Sequence, residues 1–485
     1  MGTLRLLDAN FHEVRVAQRR LLFHVASTSL FELDPVGAKL LDVLREYREL
    51  SEEQLFGQFE GSAGREEVGE ALADFCELGV VGGGNFPAQI ARQSRPIREF
   101  PLSTLVLNVT TGCNLSCTYC YKEDLATPVG GKRMDFETAC RSVDLLLKEG
   151  SSRPRLNIVF FGGEPLTNLP LIRQVVDYAE RRGAECGKRI DFSLTTNAVL
   201  LNEALVEYFD SHRFGLTVSI DGPKSVHDRN RRTVGGKGTY DLVAKNVRML
   251  LGRYRSRPVG ARVTLAAGAF DAEAIFDHLR YDLGFAEVGL APVTAGGGDG
   301  YELGGTELAA MFGGMKRLGA RYERAAIAGE YLGFTNLHRL IADLHEGAQK
   351  ALPCGAGVAL LAVDWQGRLN LCHRFTGSEM PTFGDVERGI DKPRLGALLD
   401  GARELAGRDC ETCHIRTLCS GGCYHERYRR YGDPLHPAYH YCDLMRDWVD
   451  FAIGVYASVA ARNPGFLERH VGHSERYAEI REVLP

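Results

Sequence analysis

The chain begins with short apolar runs broken by polar residues. Val14-Arg15-Val16, Leu21-Leu22-Phe23-His24-Val25 and Ser29-Leu30-Phe31-Glu32-Leu33 read as three strands. At Asp34-Pro35 the period changes. Asp34 suits a helix N-cap and Pro35 a first turn, and Leu40, Leu41, Val43 and Leu44 form an apolar face. A second helix is predicted from Ser51, with Glu52 and Glu53 in its first turn. A third runs from about Arg65 to Leu78, closed by Gly79 before a return strand at Val80-Val81. The stretch from Gly82 to Pro101 reads as a linker, so residues 1–95 are expected to form a first domain.

From Leu105 the pattern alternates between strands and helices. Strands are predicted at Leu105–Val109, Asn157–Phe161, Asp191–Thr195, Gly215–Ile220, Ala261–Leu265 and Glu287–Pro292. Amphipathic helices lie between them, at Phe136–Leu147, Leu171–Arg182, Glu203–Ser211 and Tyr240–Gly252. This order predicts an α/β domain over residues 96–300 with parallel strands and outer helices, in the form of a partial (β/α)6 barrel. A helical bridge is expected over 301–345, a cysteine-rich domain over 346–446, and a helix with a charged tail over 447–485. In such barrels reactive groups gather at the C-terminal ends of the strands. The unusual motifs fall there. Cys113-Asn114-Leu115-Ser116-Cys117-Thr118-Tyr119-Cys120 follows the first strand, and Gly162-Gly163-Glu164-Pro165 the second. Thr196-Asn197 ends the third, and Ser219-Ile220-Asp221-Gly222 the fourth.

Composition narrows the reading. Of 485 residues, 44% are hydrophobic and 25% charged, which is ordinary for a globular protein. A net charge of -5 gives nucleic-acid binding no support. No apolar run is long enough to span a bilayer, and no signal-peptide pattern opens the chain. The expectation is a cytoplasmic protein with no membrane partner. Its thirteen cysteines cluster, which favours metal ligation over a disulfide framework. Three are spaced C-x3-C-x2-C, and three ligands leave one iron of a cubane cluster open. Seven more follow: Cys354, Cys372, Cys410, Cys413, Cys419, Cys423 and Cys442. Zinc sites are the competing reading of both groups. The remaining three, Cys76, Cys140 and Cys186, fall in helix-like contexts.

Together these motifs resemble the radical S-adenosylmethionine (SAM) enzymes with a SPASM extension. The resemblance implies that Cys113, Cys117 and Cys120 hold a 4Fe–4S cluster whose open iron binds SAM, with Tyr119 beside the adenine. It implies that Gly162, Gly163 and Glu164 meet the SAM ammonium, and it draws in Thr196 and Asn197, in a motif where Ala198 replaces the usual glycine. Ser219 and Asp221 belong to its SxDG motif, and Arg231 in His227-Asp228-Arg229-Asn230-Arg231 would meet the SAM carboxylate, with Arg232 as competitor. By position, Cys354, Cys372 and Cys423 would hold a first auxiliary 4Fe–4S cluster, and Cys410, Cys413, Cys419 and Cys442 a second. His373, Asp385 and Asp433 are candidate proton acceptors. In sulfatase-activating relatives an acid stands where His373 follows Cys372.

The first domain is similar to PqqD-like winged-helix peptide-recognition domains, which hold a leader peptide as an added strand. Glu46, Glu49, Glu52 and Glu53 argue against the helix–turn–helix DNA binder of similar topology. The whole order resembles the quinohemoprotein amine dehydrogenase maturation family. That implies an enzyme which, through a 5′-deoxyadenosyl radical, forms intrapeptide thioethers between cysteine sulfur and Asp or Glu methylene carbons in the dehydrogenase γ subunit. A flavodoxin- or ferredoxin-type reductant would supply electrons. The alternatives are another peptide-modifying enzyme of this type, making α-carbon thioethers or carbon–carbon crosslinks, and a non-catalytic zinc-bound peptide adaptor.

Overall fold

The computed structural model describes residues 3–83, 100–122, 130–294, 300–404, 409–436 and 440–471. Most of the expected linker, the glycine run at 295–299 and the tail beyond 471 lie outside the described residues.

The first unit is built much as its pattern predicts, with one addition. A short strand β1 (Arg5–Leu6) precedes β2 (Phe11–Val16), β3 (Arg19–His24) and β4 (Ser29–Glu32), which form an antiparallel sheet in that order. Helices α1 (Pro35–Tyr47), α2 (Glu52–Gly57) and α3 (Arg65–Glu77) follow, and β5 (Val81–Gly82) returns to pair with β1. Asp34 caps α1 by accepting from Gly37 N at 2.6 Å. Ser51 and Gln54 form a reciprocal capping box on α2. One face of the sheet, through Phe11 and Leu22, packs on the three helices. The other, through Val14, Phe23 and Val25, joins the main core of the molecule.

The barrel strands are β6 (Thr104–Thr110), β7 (Arg155–Gly162), β8 (Arg189–Thr196), β9 (Gly215–Ser219), β10 (Gly260–Leu265) and β11 (Glu287–Pro292), all parallel. Helices α4 (Phe136–Glu149), α5 (Leu169–Glu185), α6 (Glu203–Ser211), α7 (Lys224–Asn230), α8 (Tyr240–Arg253) and α9 (Ala272–Asp277) alternate with them. Along β7, Leu156, Ile158 and Phe160 are buried outward against helices, while Asn157, Val159 and Phe161 are partly accessible on the lumen side. That period of two is what a sheet with one lined face requires. Helices α10 (Gly305–Ile327) and α11 (Thr335–His345) form the expected bridge.

The sheet does not stop at six strands. After the bridge, β12 (Leu360–Val363) runs parallel to β6, and β13 (Leu369–Asn370) pairs with β12 antiparallel. The cysteine-rich region is thereby hydrogen-bonded into the barrel sheet. Next come a two-strand hairpin, β14 (Gly384–Asp385) with β15 (Gly389–Ile390), and helices α12 (Lys392–Arg403), α13 (Arg416–Cys419), α14 (Tyr424–Tyr431), α15 (Cys442–Arg462) and α16 (Pro464–His470). Helix α15 starts at Cys442, within the region expected to be cysteine-rich, rather than at 447. It packs on α10, α11 and β2. There the rings of His12 (β2) and His414 stack at 3.9 Å, and each directs Nε2 to Asp450 Oδ1 on α15, at 3.2 and 2.9 Å. Thr28 Oγ1 donates to Ala348 O at 2.8 Å, and Arg416 Nη1 to Ala9 O at 2.6 Å. The first unit is therefore a docked part of the body.

That docking makes a prediction. Phe23→Ala opens a cavity at a fully buried site between the N-terminal sheet and the main core. It should cost about 3–5 kcal/mol and lower the unfolding midpoint of the whole chain in denaturant melts. An N-terminal transition that shifts alone, with the rest unchanged, would contradict the shared core.

Candidate functional site

The cysteine loop leaves the end of β6 and is held on three sides. The loop after β7 lies against it. Gly163 N donates to Thr110 O and Glu164 N to Gly112 O, both at 2.9 Å. A Cβ on Gly162, whose φ is +144°, would sit 2.2 Å from Thr110 O, and one on Gly163 would sit 2.2 Å from Gly112 O. The glycine pair is thus required by the approach of two backbones. From the end of β8, Asn197 Nδ2 donates to Asn114 Oδ1 at 2.8 Å and points at Cys113 Sγ at 3.9 Å. On the third side, the segment after α7 runs beside the loop. Ser116 N donates to Arg232 O, Thr118 N to Asn230 O, and Leu115 pairs with Thr233.

The motif side chains brace this frame. Glu164 is buried and accepts from Thr196 Oγ1 at 2.7 Å, Asn197 N at 2.8 Å and Leu166 N at 3.2 Å. Burial pushes its carboxyl up to about 7 against those donors. Asp221 is fully buried; it accepts from the Tyr119 hydroxyl and from Thr264 N, and lies 3.0 Å from Arg231 Nε. Burial works against the charge of Arg231, and Asp221, with Tyr119 and Cys117, more than offsets it. Arg231 and Tyr119 are therefore engaged by the protein itself, and Asp221 ties the cysteine loop, α7 and β10 together. His227, held neutral by burial at about 3, bonds Thr239 Oγ1, and Asp228 accepts from Thr239 N and Tyr240 N at the start of α8. Arg232 Nε turns back to Asp228 O. Ser219 stands half-buried at the end of β9.

The donor set fits an iron–sulfur group. Burial pushes the Cys113 thiol up to about 12, with Cys117 and Cys120 close enough to add to it, and that of Cys117 up to about 11. Such thiols ionise readily only against a cation. Leu115 N already points at Cys113 Sγ at 3.4 Å, the kind of N–H contact that tunes a ligating sulfur. Asn114 Nδ2 and Asn230 Nδ2 beside the loop are buried without a partner. The later cysteines also gather in two sets. Burial raises Cys354 to about 12, with Cys423 and Cys372 contributing. It raises Cys419 to about 11, with Cys442, Cys413 and Cys410 contributing. Cys76 lies in α3, Cys140 in α4 and Cys186 just after α5, apart from these groups.

Residues just after the cysteine loop meet residues just after Cys372 and Cys423. Lys122 Nζ donates to His373 O at 2.7 Å and lies 4.8 Å over the Phe161 ring, and His373 packs on Phe161 at 4.4 Å. Arg374 lies 5.3 Å over the Tyr121 ring, and His425 is 5.3 Å from the same ring. Of the three candidate proton acceptors, His373 alone stands here; burial, with Lys122 and Arg374 nearby, holds it neutral. Asp385 and Asp433 do not join it. Asp385 closes the β14–β15 turn by accepting from Glu387 N and Arg388 N, and Asp433 accepts from Leu435 N on an exposed turn. Their carboxylates serve local backbone. Sequence reasoning passed over Tyr121, Lys122, Arg374 and His425, although each lies within two residues of a clustered cysteine.

The clamp predicts that Gly163→Ala displaces the cysteine loop and lowers the iron bound there. Iron per chain should fall in the reconstituted variant while the folded secondary structure, by circular dichroism, is kept. Undiminished iron would contradict the close-approach account.

Residues 107–272 match the family model described as the radical SAM superfamily. An uncharacterised protein of Methanocaldococcus jannaschii, MJ0907, is 40% identical over 151 residues, covering 30% of this chain and 49% of that protein. The chain thus spans about half of that relative. A serine-type anaerobic sulfatase-maturating enzyme of Klebsiella aerogenes is 25% identical over 354 residues, covering 69% of this chain and 82% of the enzyme. Among solved structures, anSMEcpe with bound AdoMet and Cp18Cys peptide superposes with a TM-score of 0.64 at 20% identity, over 74% of this chain and 99% of that one. Streptococcus suis SuiB bound to precursor peptide SuiA superposes at 0.51 and 16% identity, over 90% and 99%. The matches share the barrel, and the SuiB match reaches across most of the chain. Residues 107–272 are thus similar to the radical SAM superfamily, and the chain shares the fold of these solved structures over 74% and 90% of its length.

Proposed function

We propose that this protein is a peptide-modifying enzyme that forms a crosslink, a thioether or a carbon–carbon bond, within a polypeptide substrate. The observation that carries the reading is the contact of residues just after the Cys113–Cys120 loop with residues just after Cys372, Lys122 with His373 and Tyr121 with Arg374. When bound, a 4Fe–4S cluster on the first set would supply reductive cleavage of SAM and hydrogen abstraction from carbon, and clusters on the other two would accept the electron that oxidative bond formation releases. The chain's own residues do the rest. Cys113, Cys117 and Cys120 would hold the first cluster. Cys354, Cys372 and Cys423 would hold the second, and Cys410, Cys413, Cys419 and Cys442 the third. Tyr119, Gly162, Gly163, Glu164, Thr196, Asn197, Ser219, Asp221 and Arg231 shape the SAM pocket: the glycines by allowing backbone contact, Glu164 and Asp221 by fixing the neighbouring segments. His373, which packs on Phe161 beside Lys122, is the candidate to take a proton from substrate by position, although burial and the nearby cations weaken it as a base.

The likeness to structures that hold peptides supports a polypeptide substrate. In the N-terminal domain, β4 pairs only with β3 among the described strands, and Phe31 on it is exposed. A leader segment could add there as a strand. Within this reading the finer proposal is thioether formation between cysteine sulfur and Asp or Glu methylene carbons in the γ subunit of quinohemoprotein amine dehydrogenase. No described helix is long and apolar enough to cross a membrane.

The test is co-expression with a candidate γ-subunit peptide, followed by mass measurement and fragmentation. Each bridge removes two hydrogens, about 2 Da, since one C–H and one S–H are lost and one C–S bond forms. Sulfur should map to an acidic side-chain methylene. Sulfur on an α-carbon, or a carbon–carbon bond, would keep the crosslinking enzyme and discard the finer assignment. A colourless protein carrying stoichiometric zinc would discard both.

A further inference from the structure

Three side chains from distant parts of the chain meet where the first unit docks. His12 lies in β2, directly opposite Phe23 of β3, on the sheet face through which Val14 and Phe23 join the main core. His414 follows Cys413 in the segment before α13, and Asp450 lies in α15. Packing and backbone contacts set these positions. Arg416 Nη1 ties the His414 segment to the first unit through Ala9 O at 2.6 Å. Helix α15 runs along β2, where a Cβ on Gly454, one turn past Asp450, would stand 3.7 Å from Val16 Cγ2. The two imidazoles and the carboxylate each offer one ligand atom, and the three atoms lie within 4.8 Å of one another.

The carboxylate lacks a permanent counter-ion. Asp450 is half-buried, and among the described residues its ion-pair partners are the two histidines, with no lysine or arginine. Arg446, one turn earlier on the same helix face, is engaged by Asp443 instead. Neutral imidazoles leave a carboxylate's charge unanswered, whereas a divalent cation answers it. The geometry suits such an ion. The stacked rings, 15° from parallel, set their Nε2 atoms side by side, 3.2 and 2.9 Å from the same Asp450 Oδ1. Metal–ligand bonds of about 2.0–2.1 Å in a tetrahedral shell put donor atoms about 3.3 Å apart. Small rotations of the three side chains therefore admit an ion. Two imidazoles and a carboxylate are a donor set for zinc and its first-row neighbours. All three side chains are partly exposed, which gives the ion an entry path and leaves water a fourth position.

We propose that His12, His414 and Asp450 bind a divalent transition-metal ion of zinc's kind, which clips the N-terminal sheet to the cysteine-rich region and α15. Each ring would carry its proton on Nδ1 and turn the Nε2 lone pair to the ion. The site shares no residue with the three cysteine sets. It goes beyond the crosslinking reading and stands whatever bond the enzyme makes.

The test uses the full chain, reconstituted with iron and sulfide so that the cysteine sets are filled, and dialysed against a buffered zinc series. Wild type should retain about one zinc per chain in addition to its iron. His12→Gln and Asp450→Asn should each weaken zinc binding by at least about tenfold while leaving iron per chain unchanged. Zinc should also raise the unfolding midpoint of wild type and not that of the variants. The two substitutions lie in different elements, so either serves if the other does not fold. X-ray absorption at the zinc edge of wild type should show nitrogen and oxygen neighbours. Sulfur neighbours at about 2.3 Å would place the zinc on cysteines and overturn the proposal. Equal zinc binding in wild type and a folded variant also overturns it. So does the absence of retained zinc in wild type, which would reduce the three residues to a hydrogen-bonded contact.

Discussion

The rest of the active region depends on one constraint: a loop carrying three buried thiols has to be rigid while one side of it stays open. Backbone contact achieves the first. Gly163 and Glu164 donate to Thr110 and Gly112 on one side, and Asn230 and Arg232 accept from Thr118 and Ser116 on another. The first contact does not survive a side chain in the way, which is why glycine occupies the last position of β7 and the one after it. Asp221 then locks the frame from below, since one buried carboxylate oxygen meets both the Tyr119 hydroxyl and Arg231. The open side is the lumen, which Phe161 of β7, Ser219 of β9 and Arg262 of β10 line.

Several familiar-looking motif residues consequently act one step back from any ligand. Glu164 answers Thr196 and Asn197, His227 answers Thr239, and Asp228 caps α8. Each fixes a strand end or helix start that borders the site. The same logic joins the domains. Strand β12 carries the cysteine-rich region into the barrel sheet, and α15, which begins at Cys442, packs on both bridge helices and on the N-terminal sheet. The His12–His414–Asp450 contact pins that sheet to the loop just beyond Cys413. A segment bound at the β4 edge would thus sit on the same rigid body as the cysteine sets.

Much of this was legible in the residues. The six barrel strands and their order followed from apolar runs alternating with amphipathic helices, and the motifs stood out because they fell at strand ends. The two auxiliary groupings came from the SPASM resemblance, and the charges that act on Cys354 and Cys419 come from members of the same groupings. What escaped had physical reasons. The strand Leu360–Val363 is a short apolar run between two cysteines, and no local pattern shows that it pairs with β6. Arg231 reads as a free cation until Asp221, in the turn before α7, is seen beside it. Arg262 reads as an ordinary polar position in a strand, because only register reveals which side faces the lumen. One signal was available and passed over. Leu21-Leu22-Phe23-His24-Val25 is apolar on both faces, as expected of a strand covered on both sides, and β3 is so covered.

The most direct test of the central claim, that Cys113, Cys117 and Cys120 form a radical SAM centre, is the cleavage of SAM by the reduced, reconstituted protein. Chromatography should show 5′-deoxyadenosine and methionine from the wild-type chain and none from Cys113→Ala, whose remaining cysteine sets are intact. Cleavage that persists in Cys113→Ala, or is absent from the fully loaded wild type, would contradict the account.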